Sequence, residues 1–169
     1  IYHDISHTLN VEKAAERYAR LEGIDEDDIL LLRTAALYHD TGFMLQYDQN
    51  EAFAIQMAQS YLPRFGYSEQ QIRIISDMIR ATESNQEPRT LLEQIMCDAD
   101  HDYLGRADYC SISNKLRLEL ENNNKHMSDI EWIEFQLHYL VNVHRYYTET
   151  AQNIRLISKK QRITELQNQ

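Results

Sequence analysis

The sequence predicts an all-α protein, a bundle of about seven to eight helices. Three observations predict it. Glycine and proline are scarce, four and two in 169 residues, so few positions break a helix. Apolar residues recur at the spacing of a helix with one buried face, and strand-like alternation is absent. Hydroxyl and acidic residues stand just ahead of several of these stripes, where they satisfy the free amides of a helix start.

The elements follow in order. A first helix near 5–22 carries Val11, Ala14, Ala15, Tyr18 and Leu21 on one face and stops at Gly23. Asp25 is the N-cap of a second helix near 26–41. Its apolar run passes Ile29-Leu30-Leu31-Leu32 and Ala35-Ala36-Leu37, reaches His39-Asp40 on the last turn, and meets a glycine stop at Gly42. A third helix is expected near 49–64, ended by Gly66. Ser68 with Gln71 forms a capping box for a fourth, near 68–82, with Ile72, Ile75 and Ile79 inward. Glu83 to Arg89 is the most polar loop. Thr90 with Glu93 opens a fifth helix near 90–101, and a sixth near 104–122 ends in the turn Asn122-Asn123-Asn124. Ser128 with Glu131 opens a seventh near 128–143, striped by Ile130, Ile133, Leu137 and Leu140. An eighth, near 145–165, carries Tyr147, Ala151, Ile154 and Ile157. No linker, repeat or low-complexity segment interrupts the chain, so one domain over 1–169 is expected.

Bulk properties bound the function. A net charge of −10 argues against general nucleic-acid binding, which uses a basic face. Residues 145–169 carry five basic and two acidic side chains, net +3 against −13 for the remainder, and are expected to form a solvated helix face. No run of ~18 apolar residues could span a membrane, and no signal peptide is visible. Cys97 and Cys110 form no CxxC pair. Both are expected to be buried, reduced thiols, which points to the cytoplasm. A homodimer is compatible with these features.

The chemistry is concentrated in His7, His39, Asp40 and Asp100. The chain has three His-Asp dipeptides, at 3–4, 39–40 and 101–102, and only His39-Asp40 ends a long apolar run. Two imidazoles and two carboxylates suit one borderline divalent ion and do not select among such ions. Acids within the apolar run of the fifth helix, Asp98 and Asp100, are costly to bury unless paired or bound to metal.

The segments Tyr2-His3-Asp4-Ile5-Ser6-His7-Thr8, Ala36-Leu37-Tyr38-His39-Asp40-Thr41-Gly42-Phe43 and Asp98-Ala99-Asp100-His101-Asp102-Tyr103-Leu104-Gly105 resemble, in order, the motifs of the HD superfamily of metal-dependent phosphohydrolases. The resemblance covers roughly Tyr2 to Gly105. It implies a single all-helical HD domain over 1–169, with a motif region at 2–105 and a C-terminal helical region at 106–169. His7, His39, Asp40 and Asp100 are the implied metal ligands, with Asp98 the alternative last ligand. The implied reaction is hydrolysis of a nucleotide or related phosphate ester by a metal-activated water. The substrate could be a nucleoside monophosphate, a cyclic nucleotide or an alarmone-like pyrophosphate, so both phosphodiesterase and nucleotidase types stay open. The first segment also resembles the cyclic-nucleotide phosphodiesterase signature, which assigns protonation of the leaving oxygen to His3. Asp40 and His3 are then the implied catalytic residues.

The chain departs from the family in three places. No histidine lies between His39 and His101. Asn50-Glu51 and Thr82-Glu83 stand where relatives with two metals carry such histidines, so one divalent ion is expected, with Mn, Fe, Ni, Zn, Co and Mg all open. Phe43 stands where some one-metal nucleotidases carry a glutamate, so the general base is open between Glu51 and Glu83. Arg80, Arg106 and Lys115 are the candidate partners for substrate phosphate, with Glu51 and Glu83 beside them. Eleven tyrosines, among them Tyr38 and Tyr103 beside the ligands, could stack on a base. The alternative reading is a metal- or nucleotide-binding signalling module with little turnover.

Overall fold

In a computed structural model, which describes residues 1–83 and 86–169, Asp4 starts α1 (Ile5–Leu21) by accepting hydrogen bonds from the amides of Ser6 and His7. Seven more helices follow: α2 (Glu26–Tyr38), α3 (Asn50–Tyr61), α4 (Glu69–Ala81), α5 (Leu91–Asp100), α6 (Tyr109–Asn122), α7 (Asp129–His138) and α8 (Glu149–Gln167). There is no strand among the described residues, and the all-α expectation holds. Among the described residues no helix is long and apolar enough to cross a membrane. In the polar loop expected at 83–89, residues 84 and 85 lie outside the described residues.

The start signals hold with one amendment. Ser68 with Gln71 and Ser128 with Glu131 close as reciprocal boxes. Thr90 accepts from the amide of Glu93, but the Glu93 carboxylate turns to the amide of Arg89 instead, at 2.6 Å. Gly23 and Gly66 end their helices at φ +75° and +84°, where a Cβ would be strained.

Gly42 is not a helix stop. α2 already ends at Tyr38, His39 caps it, and a 3-10 turn runs over Thr41–Met44. A Cβ at Gly42 would lie 1.8 Å from the carbonyl oxygen of Asn50. Glycine is needed there because the first residue of α3 packs directly on its backbone.

Three expected helix boundaries move for similar reasons. The sixth helix starts at Tyr109, because Asp102–Gly105 is a 3-10 turn whose glycine packs on the backbone of Arg155. The seventh changes after His138 into a π-helical turn, Tyr139–Val143. The eighth begins only at Glu149, after an extended entry capped by Thr148, so Tyr147 precedes it. Leu21, Ile130 and Ile157, expected inward, are exposed. Cys97 is buried as expected, donating to the carbonyl of Ala81, but Cys110 is exposed.

α1 packs on α2 and α5, and α4 packs on α2, α3 and α5. Tyr18, Leu32, Ile75, Met78, Ile79, Ile95 and Met96 fill the space between them and are fully buried. Truncating such an aliphatic side chain to alanine costs about 2–5 kcal/mol. A second, smaller cluster joins Leu104, Tyr109, Leu140 and Leu166.

The basic C-terminal segment is not simply a solvated face. Arg155 reaches Asp102, which also accepts from the Tyr18 hydroxyl, so α1, the 102–105 turn and α8 are tied together. Lys159 is buried.

Candidate metal centre

Three helix positions bring four side chains to one point. His7 lies on the first turn of α1, His39 caps α2 with Asp40 beside it, and Asp100 is the last residue of α5. His7 Nε2 is 3.2 Å from both Asp40 Oδ2 and Asp100 Oδ1. His39 Nε2 is 3.1 Å from Asp40 Oδ2 and 3.5 Å from Asp100 Oδ1. The Ala36 carbonyl, 2.8 Å from His39 Nδ1, can only accept, so Nδ1 carries the proton and Nε2 is left for the cluster.

The donor set fits a divalent ion on two counts. His7 Nε2, His39 Nε2 and Asp40 Oδ2 are buried and, close as they are, make no well-directed hydrogen bond, an arrangement that native proteins avoid unless something else fills the gap. The spacing also fits: donors about 2.1 Å from one ion lie roughly 3.0–3.4 Å apart at right-angle or tetrahedral positions. His7, His39 and Asp100 alone form a group able to hold a metal ion, with donor atoms within 4.8 Å of one another.

Electrostatics agree. Burial alone would strip the proton from His7, but Asp100 and Asp40 outweigh it and lift the group to about 9. His39 is raised in the same way. Asp40 and Asp100 are held below the usual carboxylate range: burial opposes ionisation, and the neighbouring histidines overcome it. The cluster is thus a well for positive charge.

Asp98, the alternative last ligand, faces elsewhere. It accepts from the amides of Tyr147 and Thr148, both at 2.8 Å, and from the Thr148 hydroxyl at 2.7 Å. It anchors the entry to α8.

A cavity of about 340 Å³ opens beside the cluster and is lined by Asp40 and Asp100 together with His3, Asn50, Glu51, Glu83 and an apolar wall that includes Tyr103, Tyr109, Trp132 and Phe135. His3 stacks on Phe43 at 3.8 Å between ring centroids. Its Nδ1 is ion-paired to Glu119, which also accepts from the amides of Tyr2 and His3. Burial opposes ionisation of Glu119, but these contacts draw it down to about 2. Glu51 is pushed up by burial and then by Glu83, Asp40 and Asp100.

The three basic candidates are placed elsewhere. Arg80 pairs with Asp77 on the exposed face of α4 and does not line the cavity. Arg106 forks onto Asp108, and Lys115 pairs with Asp4 at 3.4 Å; both line a separate small cleft on the other side of Tyr2 and Asp100. Tyr38 packs on the main core, not the cavity. Sequence reasoning missed Glu119, His144 and Lys159. Each acts on a residue distant in the chain, so no local pattern marks it.

The sequence pattern of the HD domain family matches residues 4–103. No curated protein sequence matches the chain. Its fold is similar to the crystal structure of a predicted HD superfamily hydrolase from an uncultured Thermotogales bacterium. The two are 21% identical, with a TM-score of 0.67, over 98% of this chain and 79% of that one. At that identity the likeness bears on the fold alone.

Proposed function

The chain belongs to the HD domain family, and from that premise we propose that it is a metal-dependent phosphohydrolase acting on a nucleotide or related phosphate ester, with His7, His39, Asp40 and Asp100 holding one divalent ion. The observation that carries this reading is the set of three buried donor atoms without a well-directed hydrogen bond, His7 Nε2, His39 Nε2 and Asp40 Oδ2. A divalent ion in such a set supplies a water of lowered pKa and neutralises charge on a phosphoryl group.

The remaining work falls to the chain's own side chains. His3 lines the cavity and is held on two sides, by Phe43 stacking and by Glu119. It is the donor to the leaving oxygen, with Glu119 as its positioning residue. The apolar wall at Tyr103, Tyr109, Trp132 and Phe135 takes the organic part of the ester and excludes water from it. Glu51, made more basic by burial and then by its acidic neighbours, is the stronger of the two candidates for the general base.

One ion is expected per chain. Neutral Asn50 lines the cavity and is a poor ligand for a transition metal compared with imidazole. The alternative reading, a signalling module with little turnover, is favoured by the same residue and by Phe43, which fills a possible base position with a ring stacked on His3.

The test is phosphate release from a panel of nucleotides by metal-free protein given Mn, Ni, Mg or Zn in turn. Metal-dependent release from at least one nucleotide is expected, with one equivalent of ion retained. Retention of the ion without release across the panel would favour the signalling module. Two equivalents of tightly held transition metal would move the reading to two-metal phosphodiesterases.

A further inference from the structure

The π-helical turn after α7 delivers His144 to the cavity that opens beside the metal cluster. Such turns insert one residue into a helix and often serve a site. His144 is 91% buried, as its 9% exposure shows. Its ring lies 5.1 Å from that of His101, the residue after Asp100.

Its hydrogen bonds determine its tautomer. Lys159 Nζ lies 2.9 Å from His144 Nδ1 and donates to the His144 carbonyl at 2.7 Å. Burial lowers Lys159 to about 8, so at neutral pH it remains an ammonium, which has donors and no acceptor. His144 Nδ1 must therefore accept. Burial first, then the positive charge of Lys159, depress the imidazole to about 2, so the ring is neutral. A neutral ring whose Nδ1 accepts carries its one proton on Nε2. That Nε2 is buried and has no partner.

Neighbouring groups are satisfied and leave His144 as the unpaired donor. His101 gives Nδ1–H to the Cys97 carbonyl and accepts the Tyr139 hydroxyl at Nε2. The Lys159 ammonium is 5.8 Å from the Tyr146 ring centroid and is lowered by burial, and among the described residues it has no carboxylate partner. A buried cation without a counter-ion, set behind a donor without an acceptor, lacks one feature: a negatively charged oxygen.

We propose that His144, backed by Lys159, is an oxyanion subsite that receives an anionic phosphoryl oxygen of the substrate in the cavity shared with the metal cluster. This rests on the phosphohydrolase reading and extends it: the substrate presents phosphate charge both to the ion and to the His144 side of the cavity. The source is either a further oxygen of the phosphoryl group under attack or a second phosphate. The subsite also answers an electrostatic problem. Asp40, Asp100, Glu51 and Glu83 all line the cavity, and Arg145 on its wall is already ion-paired to Glu87, so an anionic ester entering it needs a positive partner besides the ion.

The test uses the full chain, loaded with diamagnetic Zn and also metal-free, with nitrogen-15-labelled histidine and inorganic phosphate or pyrophosphate as probe. Imidazole spectra report the tautomer of each ring. The expected result is a neutral His144 protonated on Nε2, with that signal shifting saturably as phosphate is added. His144→Phe and Lys159→Met should each weaken phosphate binding about tenfold, the loss of one charge-assisted hydrogen bond, with Zn affinity unchanged. Tighter binding of pyrophosphate, lost in the same variants, assigns the subsite to a second phosphate; equal binding assigns it to the attacked group. A His144 protonated on Nδ1, or one that stays silent while Zn-loaded protein binds phosphate, overturns the subsite and leaves the metal reading intact. A responding His144 in a protein that retains no Zn upholds the subsite and overturns the metal reading. Should a variant fail to fold, the wild-type spectra still decide.

Discussion

His39 Nε2 stands 3.1 Å from Oδ2 of Asp40, its neighbour in the chain. Adjacent residues on a helix point about 100° apart, so the two could not meet within α2. They meet because the helix stops at Tyr38 and Asp40 takes a non-helical conformation before the next turn. The dipeptide is a pair of convergent donors only because a helix ends inside it.

Asp40→Ala is expected to abolish metal binding, while Asp98→Ala should leave it within a few-fold and act on stability. Asp40 faces the two imidazoles, whereas Asp98 accepts three hydrogen bonds from Tyr147 and Thr148. Losing a buried charged acceptor costs about 3 kcal/mol or more. Calorimetric metal titration and thermal melts separate the two. Metal binding retained by Asp40→Ala would refute the ligand assignment.

Metal affinity should rise with pH up to and through about 9. His7 in the metal-free chain is lifted to about 9, and an ion must displace its proton. Each proton displaced steepens the apparent affinity by about tenfold per pH unit. The sign for stability is opposite. Because the folded pKa is raised, the stabilisation of the metal-free chain is complete below about 6.5 and disappears as pH rises through about 9. Chelator competition and melts of metal-free protein between about pH 6 and pH 10 check both slopes.

Gly42→Ala should destabilise the protein by about 3 kcal/mol or more, because the new carbon would lie 1.8 Å from the Asn50 carbonyl and backbone must move. It should also weaken metal binding, since Asp40 leads into the same turn. Gly23→Ala, with nothing within 4 Å but φ at +75°, should cost only about 1–2 kcal/mol and spare the site. Denaturant melts of the pair test the contrast.

His3→Ala should lower turnover by roughly 10²- to 10⁴-fold on esters with a poor leaving group, the range for a general acid, without loss of metal. Glu119→Gln should reproduce part of that loss. Esters of 4-nitrophenol, whose leaving group needs no proton, should be nearly indifferent to both changes. Equal losses on both substrate types would assign these residues to structure instead.

Much of this was legible in the chain. Stripes and caps identify the helices because both are local, within one or two turns. The four clustered donors were legible through their order and their places at helix ends. What escaped was non-local. A continuous apolar pattern does not separate an α-helix from a 3-10 or π turn, so 104–108, 139–143 and 145–148 read as α-helix. Gly42 reads as a stop, and only the approach of Asn50 reveals its purpose. Glu119 serves His3 from 116 residues away, and Lys159 serves His144 across a non-helical turn, where no period connects them. Arg80, Arg106 and Lys115 are near the motifs only in sequence, and in space each pairs with an acid, Asp77, Asp108 and Asp4.

The cavity has two owners. The cluster of donors hangs on α1, α2 and α5, which share the main core, whereas Tyr109 and Leu140 on its far side belong to the small second cluster. Exchanging residues in the small cluster disturbs few of the contacts that hold His7, His39, Asp40 and Asp100. Such a chain can drift in the ester it accepts while its chemistry stays constant, as a lathe keeps its spindle when the chuck is changed.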